Sequence, residues 1–224
     1  MDKLTILIDM DDTMVDLMSA WIQRLNKQYG LSIKNSDICV WDLMQIFTTL
    51  TKEQIYAPLH DASLWDELKP IEGSAKYIKK LMDDGHDVYV VTSAHYKTFQ
   101  PKIEKVILKY FPYISWRNVI VTSKKQMIKG DILIDDAVHN LVGGDYRKFL
   151  VNAPHNQSYD AEGNGMIRVS SWKEIYELIV NICGGVQQCQ KNGYVSKSDF
   201  DTSMLRRPFI SPFCRLTAHT KGLM

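Results

Sequence analysis

The stretch Leu4-Thr5-Ile6-Leu7-Ile8-Asp9-Met10-Asp11-Asp12-Thr13 decides the architecture. An apolar run rich in β-branched residues ends abruptly in charge. A strand with one wet face would alternate apolar and polar residues, so an unbroken run predicts a strand buried on both faces of a parallel sheet. Similar runs recur at Asp87–Thr92 (DVYVVT), Asn118–Thr122 (NVIVT), Ile132–Ile134 (ILI) and Phe149–Val151 (FLV). Between them lie helical patterns. Gly73–Met82 spaces its apolar residues three to four apart and stops at Asp83-Asp84-Gly85, and Lys102–Phe111 stops at Pro112. Alternating strand and helix predicts an α/β fold with a doubly wound, Rossmann-like parallel sheet.

One region breaks the alternation. From Met14 to Pro70 the chain shows helix-like segments and no buried strand. Leaving the sheet just past the carboxyl end of the first strand, where open α/β sheets bind ligands, it is expected to form a small helical cap over that edge. The domain reading is therefore an α/β core over 1–13 and 71–183 with a cap over 14–70. Trp172–Ile182 reads as a closing helix. Beyond it, residues 184–224 carry six basic residues against Asp199 and Asp201, with Pro208 and Pro212 and no sustained period, which predicts a basic, weakly ordered tail.

The 224 residues are 45% hydrophobic, enough for a full core, and the net charge of +1 gives no field that would make a nucleic acid polymer or an acidic membrane the main partner. A small molecule is the better expectation. Four scattered cysteines without a CxxC pair indicate neither a zinc site nor a disulfide framework, which suits a reducing cytoplasm. The apolar run before Asp9 is too short for a signal peptide or a membrane span.

Three carboxylates within four positions at a strand end are costly unless a cation compensates them, and an all-oxygen set favours Mg²⁺ over zinc. Helix-capping aspartates are the plain alternative for this cluster alone. Other strand ends weaken it. The second run closes on Thr92-Ser93, Lys124-Lys125 precedes the fourth, and the fourth ends in Asp135-Asp136. In a parallel sheet these ends share one edge, so hydroxyls, a lysine and two acidic clusters converge there.

The order DxDxT (Asp9, Asp11, Thr13), Thr92 or Ser93, Lys125, then Asp135-Asp136 resembles the four motifs of the haloacid-dehalogenase superfamily. IDMDDT, SLWDELKPIEG, VVTSA, Tyr110-Phe111, TSKKQMIKGDILIDD and His155-Asn156 narrow the resemblance to the 5'(3')-deoxyribonucleotidases over about residues 1–182. The mammalian members of that family usually carry Gly-Val where this chain has Asp12-Thr13.

The resemblance implies a Mg²⁺-dependent phosphomonoesterase acting on a small phosphate ester, a deoxyribonucleoside monophosphate, and allows a homodimer. Asp9 is then the nucleophile and Asp11 the acid and base. Thr92, Ser93 and Lys125 bind the phosphoryl oxygens. Asp9, Asp11 and Asp136 hold the metal, with Asp135 orienting. Of the two cap tryptophans, Trp65 is expected to contact the substrate ahead of Trp41. Competing readings are a sugar-phosphate phosphatase, a phosphate-binding module without activity, and a phosphoacceptor signalling domain, which carries its acidic pair first and its acceptor aspartate later.

Overall fold

A computed structural model describes residues 2–191; the tail expected at 184–224 lies outside them from residue 192 onward. Six parallel strands form one sheet in the order β3-β2-β1-β4-β5-β6. They are β1 (Thr5–Ile8), β2 (Asp87–Thr92), β3 (Val119–Val121), β4 (Ile132–Asp135), β5 (Arg147–Val151) and β6 (Met166–Val169). Burial explains the unbroken apolar runs. Ile6 and Ile8 of β1 pack with Val88, Val90, Ile132 and Ile134 on one face, while Leu7 packs with Val91, Leu133 and Leu150 on the other. Each neighbour along a strand therefore faces a different dry core.

The sequence reading missed β6. Its Met166-Ile167-Arg168-Val169 alternates, because this edge strand leaves Ile167 at 40% exposure. Among the helices, α1 is Leu17–Tyr29, α2 is Lys52–Tyr56, α3 is Leu64–Glu67 and α4 is Ser74–Asp83. A short α5 (Phe99–Pro101) passes through a π-helical turn, Lys102–Ile107, into α6 (Leu108–Tyr110). The set closes with α7 (Val138–Leu141) and α8 (Trp172–Lys191). Helix α8 runs past Gly184-Gly185, where a stop was expected; glycine inside a helix costs only about 1 kcal/mol relative to alanine and does not forbid continuation. No described helix is long and apolar enough to cross a membrane.

Residues 14–70 hold α1, α2, α3 and short 3₁₀ turns, with no named strand. The chain leaves and re-enters the core at one place. The Asp16 N–H donates to the Lys69 carbonyl and the Ile71 N–H to the Met14 carbonyl, both at 2.9 Å. Between these points Trp21, Ile22, Leu25, Ile38, Leu43, Phe47, Leu50 and Ile55 form a core of their own, whereas Leu64, Trp65 and Leu68 of the return segment join the sheet's core.

Strand order reverses direction at β1. The chain winds outward through β2 and β3, then returns to lay β4 on the other side of β1. The crevice at the carboxyl ends of β1 and β4 is the place where a doubly wound sheet receives its ligand.

Candidate active site

The Asp9 N–H donates to the Ile134 carbonyl at 2.9 Å, so the β1–β4 ladder continues one residue past β1 and delivers the Asp9 side chain to that crevice. The backbone then folds back. The N–H groups of Met14 and Val15 donate to the Met10 carbonyl at 2.9 and 3.1 Å, and the Asp12 N–H donates to the Val15 carbonyl at 2.8 Å. This turn needs φ +55° at Asp12, a left-handed conformation that Asp tolerates better than most side chains. The Trp172 indole N–H pins the turn from below by donating to the Thr13 carbonyl at 2.9 Å.

Lys125 lies on a 3₁₀ turn before β4 and is 2% exposed. It pairs with the Asp9 carboxylate and, at 2.7 Å, with Asp135 Oδ2. Burial works against its charge, but the two carboxylates outweigh it and raise its pKa. Asp135 spends its other oxygen on the Ala137 N–H at 2.8 Å and the Asn140 amide at 3.1 Å. Burial pushes Asp135 up to about 6, with Lys125 opposing. Asp136 is held well above the usual carboxylate range, first by burial and then by the like charges of Asp135, Asp12 and Asp9. Its Oδ2 lies 3.3 Å from His155 Nε2, and its carbonyl accepts from the Asn156 amide at 2.8 Å.

Asp9, Asp135 and Asp136 each offer an oxygen within 4.8 Å of the others. Such a buried, all-oxygen set, with the Asp135 and Asp136 carboxyls pushed upward, fits a hard divalent cation, whose charge would favour the ionised form of those two. Because both oxygens of Asp135 are already hydrogen-bonded, Asp136 is the better placed of the pair to ligate.

A cavity of about 360 Å³ opens above these groups. Asp9, Asp11, Ser93, Lys125 and Asp136 form its polar floor, and Val40, Trp41, Leu43, Tyr56 and Leu59 of the cap form an apolar roof. The Trp41 ring meets the rings of His139 and His155 edge-on at 4.7 and 5.1 Å, joining cap to core across the cavity mouth.

Of the residues singled out in the sequence, Asp9, Asp11, Ser93, Lys125 and Asp136 line this cavity, and Asp135 stands behind them. Thr92 is fully buried beside it. Trp65 is not brought there: at 2% exposure it packs into the sheet's core, and Trp41 takes the roof position instead. Lys102 was overlooked. It is 2% exposed and its ammonium pairs with Asp11, yet nothing in KIEKVILK distinguishes it from Lys105 or Lys109. His155-Asn156 carried no derivable role in sequence and now supports the Asp136 backbone and side chain.

Residues 3–183 match the family model described as 5' nucleotidase, deoxy (pyrimidine), cytosolic type C protein. The chain is 39% identical over 175 residues to a 5'(3')-deoxyribonucleotidase of Bacillus subtilis, covering 77% of this chain and 96% of the relative. A 5'(3')-deoxyribonucleotidase of Clostridium acetobutylicum is 31% identical over 178 residues, covering 80% and 96%. Among solved structures, a haloacid dehalogenase-like hydrolase from Streptococcus pneumoniae superposes with TM-score 0.57 at 16% identity, covering 79% of this chain and 98% of that one. A HAD family hydrolase from Deinococcus radiodurans, solved with bound phosphate and sodium, gives 0.55 at 14%, covering 79% and 95%, which shows the shared fold. With a matching family model and two relatives above 30% identity, the chain belongs to the 5'(3')-deoxyribonucleotidase family of haloacid-dehalogenase hydrolases and is a hydrolase of phosphoric monoesters.

Proposed function

We propose that this chain removes the phosphate of deoxyribonucleoside monophosphates through an aspartyl-phosphate on Asp9. The observation that carries the reading is one cavity with a carboxylate and lysine floor and an apolar roof containing Trp41. The floor suits a phosphate ester and the roof a flat base, and the curated relatives are named for deoxyribonucleotides.

Asp9 attacks phosphorus from the end of β1. Lys125, fixed against Asp9 and Asp135, and the Ser93 end of β2 hold the phosphoryl oxygens, with Thr92 supporting that strand end. Asp11 gives its proton to the departing ester oxygen and afterwards takes one from the water that opens the aspartyl-phosphate. Burial raises Asp11, with Lys102 opposing. Asp9, Asp136 and the Asp11 backbone carbonyl would hold Mg²⁺, with Asp135 orienting the set; when bound, the ion offsets the repulsion between carboxylate and phosphate dianion.

Phosphate release from a panel of deoxyribonucleoside monophosphates, ribonucleotides and sugar phosphates, with and without Mg²⁺, tests the reading. Metal-dependent preference for the deoxyribonucleotides is expected. Preference for sugar phosphates would move the substrate class and leave the monoesterase chemistry.

A further inference from the structure

Lys102, Lys105 and Lys109 fall at helical spacings of three and four, so an unbroken α-helix would set all three on one face. The structure separates them. A π-helical turn begins at Lys102, in which the Leu108 N–H reaches back five residues to the Ile103 carbonyl, and it breaks the α-helical register that would align the three. Lys102 is buried while Lys109 is exposed, and Lys105 reaches outward to Asp66 at 2.6 Å. Such π turns are uncommon and gather at functional sites.

All three ammonium hydrogens of Lys102 have acceptors. Besides the Asp11 Oδ2 pairing, Nζ donates to Thr92 Oγ1 at 2.9 Å and to the Ser93 carbonyl at 2.8 Å. The Trp65 ring closes the remaining side, its centroid 4.9 Å from Nζ. Lys102 therefore has no hydrogen left for a phosphate oxygen, unlike a phosphate clamp. Asp11, by contrast, has one oxygen anchored and the other, Oδ1, buried without a partner.

We infer that Lys102 is a positioning residue that holds the Asp11 carboxyl for proton delivery to the leaving oxygen, with Trp65 as its wall. The inference rests on the role given to Asp11 above. In that step an Asp9 oxygen forms its bond to phosphorus as the ester P–O bond breaks. The electron pair of the broken bond goes to the ester oxygen, which takes the Asp11 proton and departs as the alcohol. Lys102 exchanges no atom. It fixes where the proton is offered, so its contribution grows as the leaving group becomes more basic.

The test is kcat/KM for a series of phosphate esters from p-nitrophenyl phosphate, whose leaving group departs without a proton, to phenyl and alkyl phosphates. This ratio reports the steps up to ester cleavage. Lys102→Met is expected to lower it about 10²-fold for alkyl esters and less than about threefold for p-nitrophenyl phosphate, the contrast that lost acid catalysis gives. An equal loss across the series, or no loss, overturns the inference. Trp65→Leu, which leaves the lysine in place, should show the same contrast in smaller measure should Lys102→Met fold poorly, and an equal loss across esters there would count against it too. If the wild type ignores nucleotides but the contrast holds, the nucleotidase reading falls and this one stands.

Discussion

Floor and roof of the same cavity were built by different rules. The floor is assembled at strand ends: Asp9 after β1, Ser93 after β2, Asp136 after β4 and Lys125 on the turn before β4. A parallel sheet brings all its carboxyl ends to one edge, so the order of motifs in the sequence is already a spatial statement. The roof comes from short turns around a small core of its own, where Val40, Trp41 and Leu43 share the cavity with Tyr56 and Leu59. Nothing periodic marks those residues. On the proposed function the floor is the chemical half of the site and the roof the selective half, and substitutions should separate the two.

The largest effect is expected in the floor. Asp9→Asn removes the proposed nucleophile and should lower kcat by at least about 10⁴-fold on every ester, while circular dichroism and melting stay close to wild type. Near-native turnover in a clean preparation would defeat the assignment of Asp9. Lys125→Met comes next. It leaves Asp9 and Asp135 without their buried cation, so a loss of about 3 kcal/mol of stability is expected by denaturant unfolding, together with about 10²-fold in kcat on all esters alike.

The roof should respond differently. Trp41→Ala is expected to raise KM for a deoxyribonucleoside monophosphate about tenfold, which is the loss of one base stack, and to leave deoxyribose 5-phosphate, which lacks a base, unchanged. An equal change on both would show that Trp41 shapes the cavity and not base recognition. Trp65→Phe sharpens the contrast, since its ring faces Lys102 in the core and its effect should fall on kcat/KM for alkyl esters with no dependence on the base.

That difference between tryptophans shows what the sequence could carry. Strand ends were legible because a dry strand admits only apolar residues and the first charge after it marks an edge: Ile8 before Asp9 and Ile134 before Asp135 are both fully buried. Edge strand β6 was not, because one side is wet and Arg168 sits within it, donating to Asn156 Oδ1 at 2.8 Å. Trp41 and Trp65 look alike in sequence; one is 55% exposed and the other 2%, a distinction set by where the return segment packs, which no local pattern encodes. Lys102 was hidden for a related reason, since a π turn breaks the helical register without changing a residue's neighbours in sequence.

Asp12 joins floor to roof, and here two effects oppose each other. Its Oδ1 accepts from the Met18 N–H at 2.8 Å, satisfying one of the free donors at the start of α1, while its φ of +55° strains any residue with a β-carbon. Asp12→Ala keeps the strain and loses the hydrogen bond, so about 1–2 kcal/mol of stability should go. Asp12→Gly loses the bond but relieves the strain, and these terms, each about 1 kcal/mol, should nearly cancel. Asn retains the acceptor and accepts left-handed backbone readily, so Asp12→Asn should stay within about 0.5 kcal/mol of wild type. Urea unfolding of the three variants reads the ranking directly. If Gly proved as damaging as Ala, the hydrogen bond to α1 would outweigh the backbone strain. The Gly found at this position in mammalian members of the family would then need an α1 start held by some other acceptor.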